Sequence, residues 1–262
     1  MKLGIAYNSF DGIELLGYAI ESIRKEVDFI CLIKQEMSFH GNKADLNDLE
    51  AIDKLKKYGL ADSIVNYTPN LSLSSRENET IIRNLGLDQS IENGCSHHIS
   101  ADVDEFYLPN QLKYAKEAVL QFDCSIAESI DYFKHPTWKV VPERRNLIPL
   151  IHPVENRYEM NLKFPFPVDI TRRQAKYDKC LVLDPEKFIV HHMTYVRNNI
   201  HKKALNNINH KNDLKNNLNG FDKYKLGDRL VMPPDYLNRK TVETINLFGI
   251  EVLNGSIVYD RS

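Results

Sequence analysis

The sequence has 262 residues, 42% hydrophobic and 27% charged, with a formal net charge of −2. This composition allows a sizeable core, which excludes global disorder, and the charge gives no overall attraction to nucleic acid or membrane. We see neither a signal peptide nor an apolar run near the roughly 18 residues of a membrane span, so we expect a soluble, cytoplasmic protein. The four cysteines form no CxxC pair and are expected to be reduced and buried: Cys31, Cys95, Cys124 and Cys180.

The first 130 residues alternate between strand and helix patterns. Apolar runs predict strands, and apolar residues at helical spacing predict helices, in the order strand 3–7, helix 13–23, strand 29–33, helix 46–58, strand 63–67, helix 74–91 and strand 97–101. Ser74 and Glu77 have the spacing of a capping box, and Pro109 opens a further helix before a strand that begins at Cys124. This alternation predicts an α/β fold with an open, mostly parallel sheet flanked by helices.

The second half of the chain is less regular. Residues 133–190 are rich in proline and predict short strands and loops, with a strand from Phe188 that ends at His191 and His192. Residues 197–229 hold eight Lys or Arg against three Asp and are expected to be partly helical. Residues 241–257 predict a helix followed by a short strand.

Two aspartates, Asp102 and Asp104, follow the fourth predicted strand. Ligands of open parallel sheets bind outside the carboxyl ends of the strands, and Mg²⁺ or Mn²⁺ is typically held by one or two carboxylates together with phosphate oxygens. Acidic pairs are equally common on solvated loops. The apolar strand before this pair and the helix-starting proline after it favour a metal site.

The residues around this pair also resemble a known pattern. Arg83-Asn84-Leu85-Gly86-Leu87, Gly94-Cys95 and Ser100-Ala101-Asp102-Val103-Asp104-Glu105-Phe106 with Pro109 resemble the helix, strand and DxD motif of GT-A glycosyltransferases. The similarity is to family-2-like and β-1,4-N-acetylglucosaminyltransferase-like enzymes of bacteria and phages, over about residues 3 to 130 and one later motif. It implies a GT-A type fold, a nucleotide-sugar donor, with a UDP-sugar expected, and Mn²⁺ or Mg²⁺ bound by Asp102 and Asp104.

The later motif is the histidine pair. Adjacent strand residues point to opposite faces, so only one ring should face the site. In similar enzymes a late strand supplies a His in a His-x-Ser/Thr setting, and His192-Met193-Thr194 matches it better than His191 does. The resemblance therefore implies His192 as the third metal ligand, while His191 is expected to be packed or hydrogen-bonded. An imidazole ligand favours Mn²⁺ over Mg²⁺.

Other residues are predicted to bind the donor. Tyr7, Asn8 and Asp11 follow the first strand, where the base and ribose lie in a GT-A fold, although a plain turn is an equal interpretation of that segment. Arg83 is expected to face the donor phosphate or its supporting carboxylate, with a surface position as the alternative. Arg197 and Lys203 are expected to clamp the diphosphate, with a solvated basic face as the alternative.

An inverting enzyme also needs a carboxylate base near the acceptor hydroxyl. The candidates are Asp169, Glu155 and Asp178, all in the irregular half.

We divide the chain into a GT-A domain at 1–196 and a C-terminal helical extension packed on it at 197–262. Residues 1–130 form its nucleotide-sugar half and residues 131–196 its acceptor half.

The predicted function is transfer of a sugar to an acceptor hydroxyl. The acceptor is a surface glycan, or a hydroxymethylated or glycosylated phage DNA base, which the basic stretch 197–229 favours. The alternatives are a nucleotidyltransferase and a non-catalytic nucleotide-sugar-binding module. The sequence has no Gly-rich phosphate loop near its N-terminus, which argues against a nucleotidyltransferase.

Overall fold

The computed structural model describes residues 1–143, 146–206, 218, 220–230 and 239–260. The helices are α1 (Ile13–Ile23), α2 (Leu46–Lys57), α3 (Ser75–Glu92), α4 (Pro109–Ala118) and α5 (Ile200–Asn206). The strands are β1 (Leu3–Ser9), β2 (Phe29–Gln35), β3 (Ser63–Tyr67), β4 (His97–Asp102), β5 (Glu105–Phe106), β6 (Cys124–Phe133), β7 (Trp138–Val141), β8 (Asn146–Pro149), β9 (His152–Pro153), β10 (Cys180–Val182), β11 (Val190–Tyr195), β12 (Lys240–Glu243), β13 (Val252–Leu253) and β14 (Ser256–Ile257). A single 3-10 turn covers Ile170–Arg172 within the described ranges.

The first sheet is the predicted one. Its order is β3-β2-β1-β4-β9, with β1 to β4 parallel and β9 antiparallel to β4. Helix α3 begins with the predicted capping box between Ser74 and Glu77. It packs closely on β1, because a Cβ on Gly86 would lie 2.4 Å from the Cβ of Ala6. The prediction of an α/β fold with a mostly parallel central sheet flanked by helices is confirmed.

A second sheet is built around β6. Strands β10 and β11 run parallel to β6, while β7 and β8 run antiparallel to it. Strand β12 lies beside β7, and the two-residue strand β5 lies beside β11. Because only Val103 and Asp104 separate β4 from β5, the turn that carries Asp104 leads from the first sheet into the second.

One large core joins most of these elements. It contains Ile5 and Leu32 from the first sheet, Ile130 from the second, and Ile250 and Ile257 from the C-terminal segment, all buried. A smaller core surrounds Phe133, Tyr195 and Tyr224. Residues on both sides of position 196 therefore share buried apolar surface, which is the main stabilising contribution to packing.

Two predictions of secondary structure are wrong. Residues 240–243 form β12 instead of the start of a helix, since Thr241 pairs with Val140 of β7, and a β13–β14 hairpin follows. Long-range pairing overrides the local helical pattern here. Strand β11 begins at Val190 and continues to Tyr195, so the histidine pair lies near its start. Part of the basic stretch, residues 207–217 and 219, lies outside the described residues.

The cysteine prediction is also wrong for one pair. Cys124 and Cys180 form a disulfide, because β10 lies beside β6 with these two residues in register and their Cα atoms 4.9 Å apart. Cys31 and Cys95 are free and buried, as expected. Among the described residues, no helix is both long and apolar enough to cross a lipid bilayer.

Candidate functional site

A cleft lies at the carboxyl edge of the first sheet, just beyond β1, β2 and β4. It consists of two adjoining pockets of ≈ 220 and ≈ 190 Å³. Ligand sites of open α/β sheets lie at this edge, because the connections that leave the parallel strands converge there. The residues that line it include Asn8, Asp11, Gln35, Phe39, Asp102 and Lys203.

Asp102 ends β4 and is surrounded by polar groups of three other elements. Its Oδ2 lies 2.8 Å from Nη2 of Arg172, and its Oδ1 lies 3.5 Å from Nη2 of Arg83. The Nδ2 of Asn8 donates to the same Oδ1 at 3.3 Å. Burial alone raises the pKa of Asp102, but the guanidinium charges of Arg172 and Arg83 lower it to about 2. Asp102 is therefore an anion held in place by cations of the chain.

Arg83 is buried under the cleft, not on the surface. It is 1% exposed, and its Nη1 donates to Oγ of Ser100 at 2.9 Å while its Nε donates to Oγ1 of Thr171 at 3.2 Å. Its Nη2 also pairs with Oε1 of Glu79 at 2.5 Å. Arg83 therefore supports the Asp102 carboxylate, which is one of the two positions that the sequence predicts for it.

Arg172 is a site residue that the sequence patterns do not predict. Its Nη2 contacts Oε1 of Glu105 at 2.6 Å and Oδ2 of Asp102 at 2.8 Å, and the residue is 5% exposed. Asp169 caps the 3-10 turn that presents this side chain. No local pattern in the sequence identifies an arginine that pairs with carboxylates about 70 positions away.

Asp104 faces a different set of cations. Its Oδ2 pairs with Nη2 of Arg197 and lies 3.3 Å from Nζ of Lys203, and its Oδ1 lies 3.7 Å from Nε2 of His192. Asp104 is 2% exposed. Although burial opposes ionisation, these three neighbours hold the pKa of Asp104 well below its usual range. Two carboxylates only two positions apart thus serve separate groups of cations.

His192 is oriented by a second carboxylate. Its Nδ1 lies 3.0 Å from Oδ1 of Asp131, which is directly opposite it in the parallel pairing of β11 with β6. Burial lowers the pKa of His192, but the hydrogen bond to Asp131 and the charge of Asp104 raise it to about 9. His191 points to the other face of β11, where its Nδ1 lies 2.9 Å from the hydroxyl of Tyr132.

These residues fit a divalent cation in part. Asp104 and His192 present an oxygen and a ring nitrogen 3.7 Å apart, and the Asp131 contact is the carboxylate–histidine arrangement that orients metal-bound imidazoles. With its pKa raised to about 9, the ring of His192 carries a proton at neutral pH, which a metal ion would have to displace from Nε2 in order to bind. Asp102 turns instead toward Arg172 and Arg83. No group of three His, Cys, Asp or Glu suited to a metal occurs in the described part of the chain. The arrangement suits an ion that takes its other ligands from phosphate and water, as Mg²⁺ commonly does.

Buried polar atoms in the cleft lack partners. Oδ1 of Asn8, Oδ2 of Asp11 and Nη1 of Arg197 are buried and have no hydrogen-bond partner within the residues that the structure describes. Buried polar groups are normally paired, so such a cluster indicates a place where a ligand supplies the missing partners. The predicted donor residue Tyr7 is different, because its side chain is fully buried in the large core and does not line the cleft.

The carboxylates considered as catalytic base lie in different places. Asp169 lines the cleft, and its Oδ1 accepts from the backbone N–H and the hydroxyl of Thr171, each at 2.9 Å. Glu155 is exposed and follows β9, which pairs with the first residues of β4 at the opposite end from Asp102. Asp178 is exposed before β10. Glu155 and Asp178 are therefore not part of the cleft, because the chain carries them to the far edge of the sheets.

The three cations at the start of the basic stretch face this chain's own carboxylates. Arg197 and Lys203 contact Asp104, and Nζ of Lys202 pairs with Asp48 and lies 6.0 Å from the ring centre of Phe10. Helix α5 therefore lies along the cleft, where it joins Asp104 to the β2–α2 side of the molecule.

No protein-family model and no curated protein matches the sequence. Solved structures similar to it include the 1–349 fragment of S. aureus TarS, at 11% identity and a TM-score of 0.45, with 86% of this chain and 76% of that chain covered. The same fragment in complex with UDP-GlcNAc gives 12% identity and a TM-score of 0.44 over 82% of this chain and 70% of that one. Mannose-1-phosphate geranyltransferase from Thermus thermophilus gives 13% identity and a TM-score of 0.32 over 57% and 50%. With TM-scores below 0.5, these likenesses define neither the family nor the activity of this chain.

Proposed function

We propose that the chain is a metal-assisted glycosyltransferase that moves a sugar from a nucleotide-sugar to an acceptor hydroxyl. The observation that carries the proposal is the convergence on Asp104 of Arg197, Lys203 and His192, inside a cleft at the carboxyl edge of a parallel sheet. Two fixed cations beside a carboxylate and an imidazole suit a diphosphate and a divalent ion together.

The cleft offers distinct contacts for the parts of such a donor. Phe10 and Phe39 offer aromatic surface for a base, and the buried amide of Gln35 can both donate to and accept from a base edge. Asn8 and Asp11 carry the unpartnered oxygens that suit ribose or base N–H and O–H groups. A UDP-sugar is the donor that we propose, as the sequence resemblance implies.

The diphosphate end lies with Asp104. Arg197 and Lys203 would contact the phosphate oxygens as guanidinium and ammonium donors, and Asp104 and His192 would hold Mn²⁺ or Mg²⁺. When bound, the ion offsets the negative charge of the departing nucleoside diphosphate. Asp131 keeps the ring of His192 in the required orientation, and Arg172 and Arg83 keep Asp102 ionised at the floor of the cleft.

Asp169 is the proposed general base. It is the candidate that lines the cleft, and its Oδ1 is fixed by Thr171, so the carboxylate is held in one orientation. In an inverting transfer it would accept the proton of the acceptor hydroxyl as that oxygen attacks the sugar. Asp169→Asn is expected to lower kcat by about 100-fold or more while leaving donor affinity unchanged.

The acceptor that we propose is a surface glycan or a hydroxymethylated or glycosylated DNA base. Transfer to modified DNA would depend steeply on salt, because phosphate contacts release counterions, whereas transfer to a neutral glycan would not. Rates on both acceptors between 50 and 200 mM salt, roughly the range over which such contacts weaken, separate the two. A salt-independent rate on DNA contradicts the DNA acceptor.

The direct test is a thermal-shift screen of nucleotide-sugars with and without Mn²⁺. A ligand that binds the folded state raises the apparent melting temperature by mass action. We expect a UDP-sugar to raise it only when Mn²⁺ is present, and Asp104→Asn to abolish the rise. Asp88→Asn is the matched control, because it removes an exposed carboxylate paired with Arg157 outside the cleft.

Four further outcomes would contradict the proposal. If no nucleotide-sugar stabilises the protein, or if Asp104→Asn retains full response, the cleft is not a donor site. Release of pyrophosphate instead of sugar transfer would indicate a nucleotidyltransferase, and binding without turnover would indicate a non-catalytic module. His192→Ala should weaken Mn²⁺ dependence more than His191→Ala, and the reverse order would reassign the ligand.

A further inference from the structure

The loop that carries Arg197 is tied to the C-terminal segment by one side chain. The backbone N–H of Ile257 donates to Oδ1 of Asn198 at 2.6 Å, and Nδ2 of Asn198 donates to the carbonyl oxygen of Ile257 at 2.9 Å. The carboxamide therefore satisfies both backbone groups of one β14 residue, much as a neighbouring strand would. Fifty-nine positions separate the two residues, so the contact joins distant parts of the chain.

Both segments joined by this contact also pack on α1. The backbone N–H of Asn198 donates to Oε1 of Glu14 at 2.8 Å. The hydroxyl of Tyr18 donates to the carbonyl oxygen of Val258 and accepts from the N–H of Glu251 at 3.1 Å, and the ring of Tyr259 stacks edge-on against Tyr18 with centroids 4.9 Å apart. Helix α1 thus serves as a common platform for the C-terminal hairpin and the Asn198 loop.

Arg197 itself has little freedom within this frame. Its side chain is 2% exposed, its Nε donates to the carbonyl oxygen of Thr194 at 3.3 Å, and its Nη2 pairs with Asp104. Its Nη1 lies against Gly12, where α1 begins. The position of the guanidinium therefore depends on where the backbone at residues 196–199 is held.

We propose that Asn198 is a positioning residue through which the C-terminal hairpin, β13–β14 and residues 258–260, holds Arg197 against Asp104. The hairpin thereby sets the affinity of the cleft for a nucleoside diphosphate. This inference rests on the proposed function in taking Arg197 as a diphosphate contact. The two hydrogen bonds between Asn198 and Ile257, which we call the tether, are a feature of the fold and do not depend on what the cleft binds.

A double-mutant cycle tests the functional part. The affinity for UDP in the presence of Mn²⁺ is measured by calorimetry for the wild type, Asn198→Ala, Arg197→Ala and the double variant. We expect Asn198→Ala to weaken binding about fivefold to tenfold, and to have no further effect in the Arg197→Ala background, since it acts through that residue. An equal loss in both backgrounds, or no loss in either, overturns the proposal.

Asn246→Ala is a matched control. Its side chain makes the same twin contacts, to the backbone N–H and carbonyl of Ile250 at 3.1 and 2.9 Å, in the same C-terminal segment. Within the described residues, the side chain of Asn246 makes no hydrogen bond to the loop that carries Arg197. Asn246→Ala is therefore expected to leave UDP affinity unchanged, and a loss equal to that of Asn198→Ala would show a general effect on the fold.

A ligand-free measurement separates this inference from the proposed function. Amide hydrogen exchange at Val196 and Asn198 should accelerate by about tenfold or more in Asn198→Ala and stay at the wild-type rate in Asn246→Ala. If the wild type binds no nucleotide, the proposed function is wrong, and this exchange still decides the tether. Unchanged exchange at these amides overturns the tether whatever the cleft binds.

Discussion

At the residue scale, Gly12 is where the backbone of α1 meets the guanidinium of Arg197. Its φ is +77°, in the left-handed region that favours glycine, and a Cβ built on it would lie 1.2 Å from Nη1 of Arg197. This position therefore favours glycine for two independent reasons, its positive φ and the lack of space for a Cβ beside Arg197. A side chain here displaces a buried cation from the site.

Gly12→Ala is expected to weaken UDP binding by about tenfold, because Arg197 must leave its contact with Asp104. Gly59→Ala is the matched control. Gly59 has a similar φ of +72°, but nothing lies within 4 Å of its Cβ position, so it shares the backbone strain of roughly 1–2 kcal/mol without the clash. Calorimetry and urea unfolding of both variants separate the two effects. Equal UDP affinities in the two variants would contradict the close approach.

Loss of Arg172 should destabilise the fold strongly. Its guanidinium contacts the buried Glu105 and the half-buried Asp102, and removal leaves the buried Glu105 carboxylate without its cation. Arg172→Ala is expected to lower the free energy of unfolding by about 3–5 kcal/mol, measured by urea titration. Arg172→Lys should recover only part of it, because one ammonium does not reproduce the planar fork of donors.

The matching surface pair is Arg157 with Asp88. Their side chains are 48% and 41% exposed and their closest contact is 2.6 Å. Exposed pairs contribute little, so Arg157→Ala should change the free energy of unfolding by no more than about 1 kcal/mol. A large loss in Arg157→Ala, or a small one in Arg172→Ala, would mean that burial does not decide the contribution of these pairs.

At the scale of elements, local patterns were enough for the first half of the fold. The predicted helix at residues 13–23 and strand at 63–67 match α1 and β3 in their bounds, and the capping box of Ser74 and Glu77 begins α3. These elements follow from periodicity and capping within short windows. The alternation of strand side chains predicted that only one of the two histidines would face the site, and the resemblance favoured His192. In the structure His192 lies on the Asp104 side and His191 contacts Tyr132.

Elements fixed by long-range pairing were not predictable in this way. Strand β12 forms because β7 lies beside it, although its sequence suited a helix. Arg172 and Asp131 complete the site from segments with no motif, and their partners lie about 70 and 61 positions away in the chain. The sequence therefore predicts the carboxylates at the strand end and three of their cations, Arg83, Arg197 and Lys203, whereas Arg172 and Asp131 carry no local signal.

The disulfide of β6 and β10 provides a test at this scale. The bond closes a 56-residue separation that includes the 3-10 turn with Arg172. Cys124→Ser with Cys180→Ser is expected to lower the free energy of unfolding by about 2–4 kcal/mol. A thiol reductant should lower the melting temperature of the wild type and leave that of the double variant unchanged. Equal responses of the two proteins would contradict the bond.

At the scale of the whole molecule, buried neutral histidines are expected to reduce stability in acid. His152 is fully buried, with Nε2 2.7 Å from the hydroxyl of Tyr158 and its ring 5.7 Å from that of His98. Burial, and to a smaller extent the charge of His97, lower the pKa of His152 to about 4. Burial also lowers the pKa of His98 and, to about 4, that of His191.

Because the pKa of His152 is depressed in the folded state, its contribution is complete above the unfolded value of 6.5 and is lost as the pH falls toward 4. The unfolded chain binds the proton first, so stability should fall by about 1.4 kcal/mol per pH unit for each such histidine. Urea titrations between pH 7 and about pH 4.5 give the slope of the unfolding free energy against pH. In His152→Gln this slope should be smaller by the amount that corresponds to one bound proton. A slope unchanged in His152→Gln contradicts the assignment.

The division of labour between Asp102 and Asp104 has a consequence for engineering the cleft. Asp102 contacts residues of α3 and the 3-10 turn, whereas Asp104 contacts residues of β11 and α5. In the proposed donor site, redesign of the α5 face would change the affinity for the ion and the diphosphate and leave the ion pairs of Asp102 in place. The surroundings of the two aspartates in this short turn can therefore be mutated independently of each other.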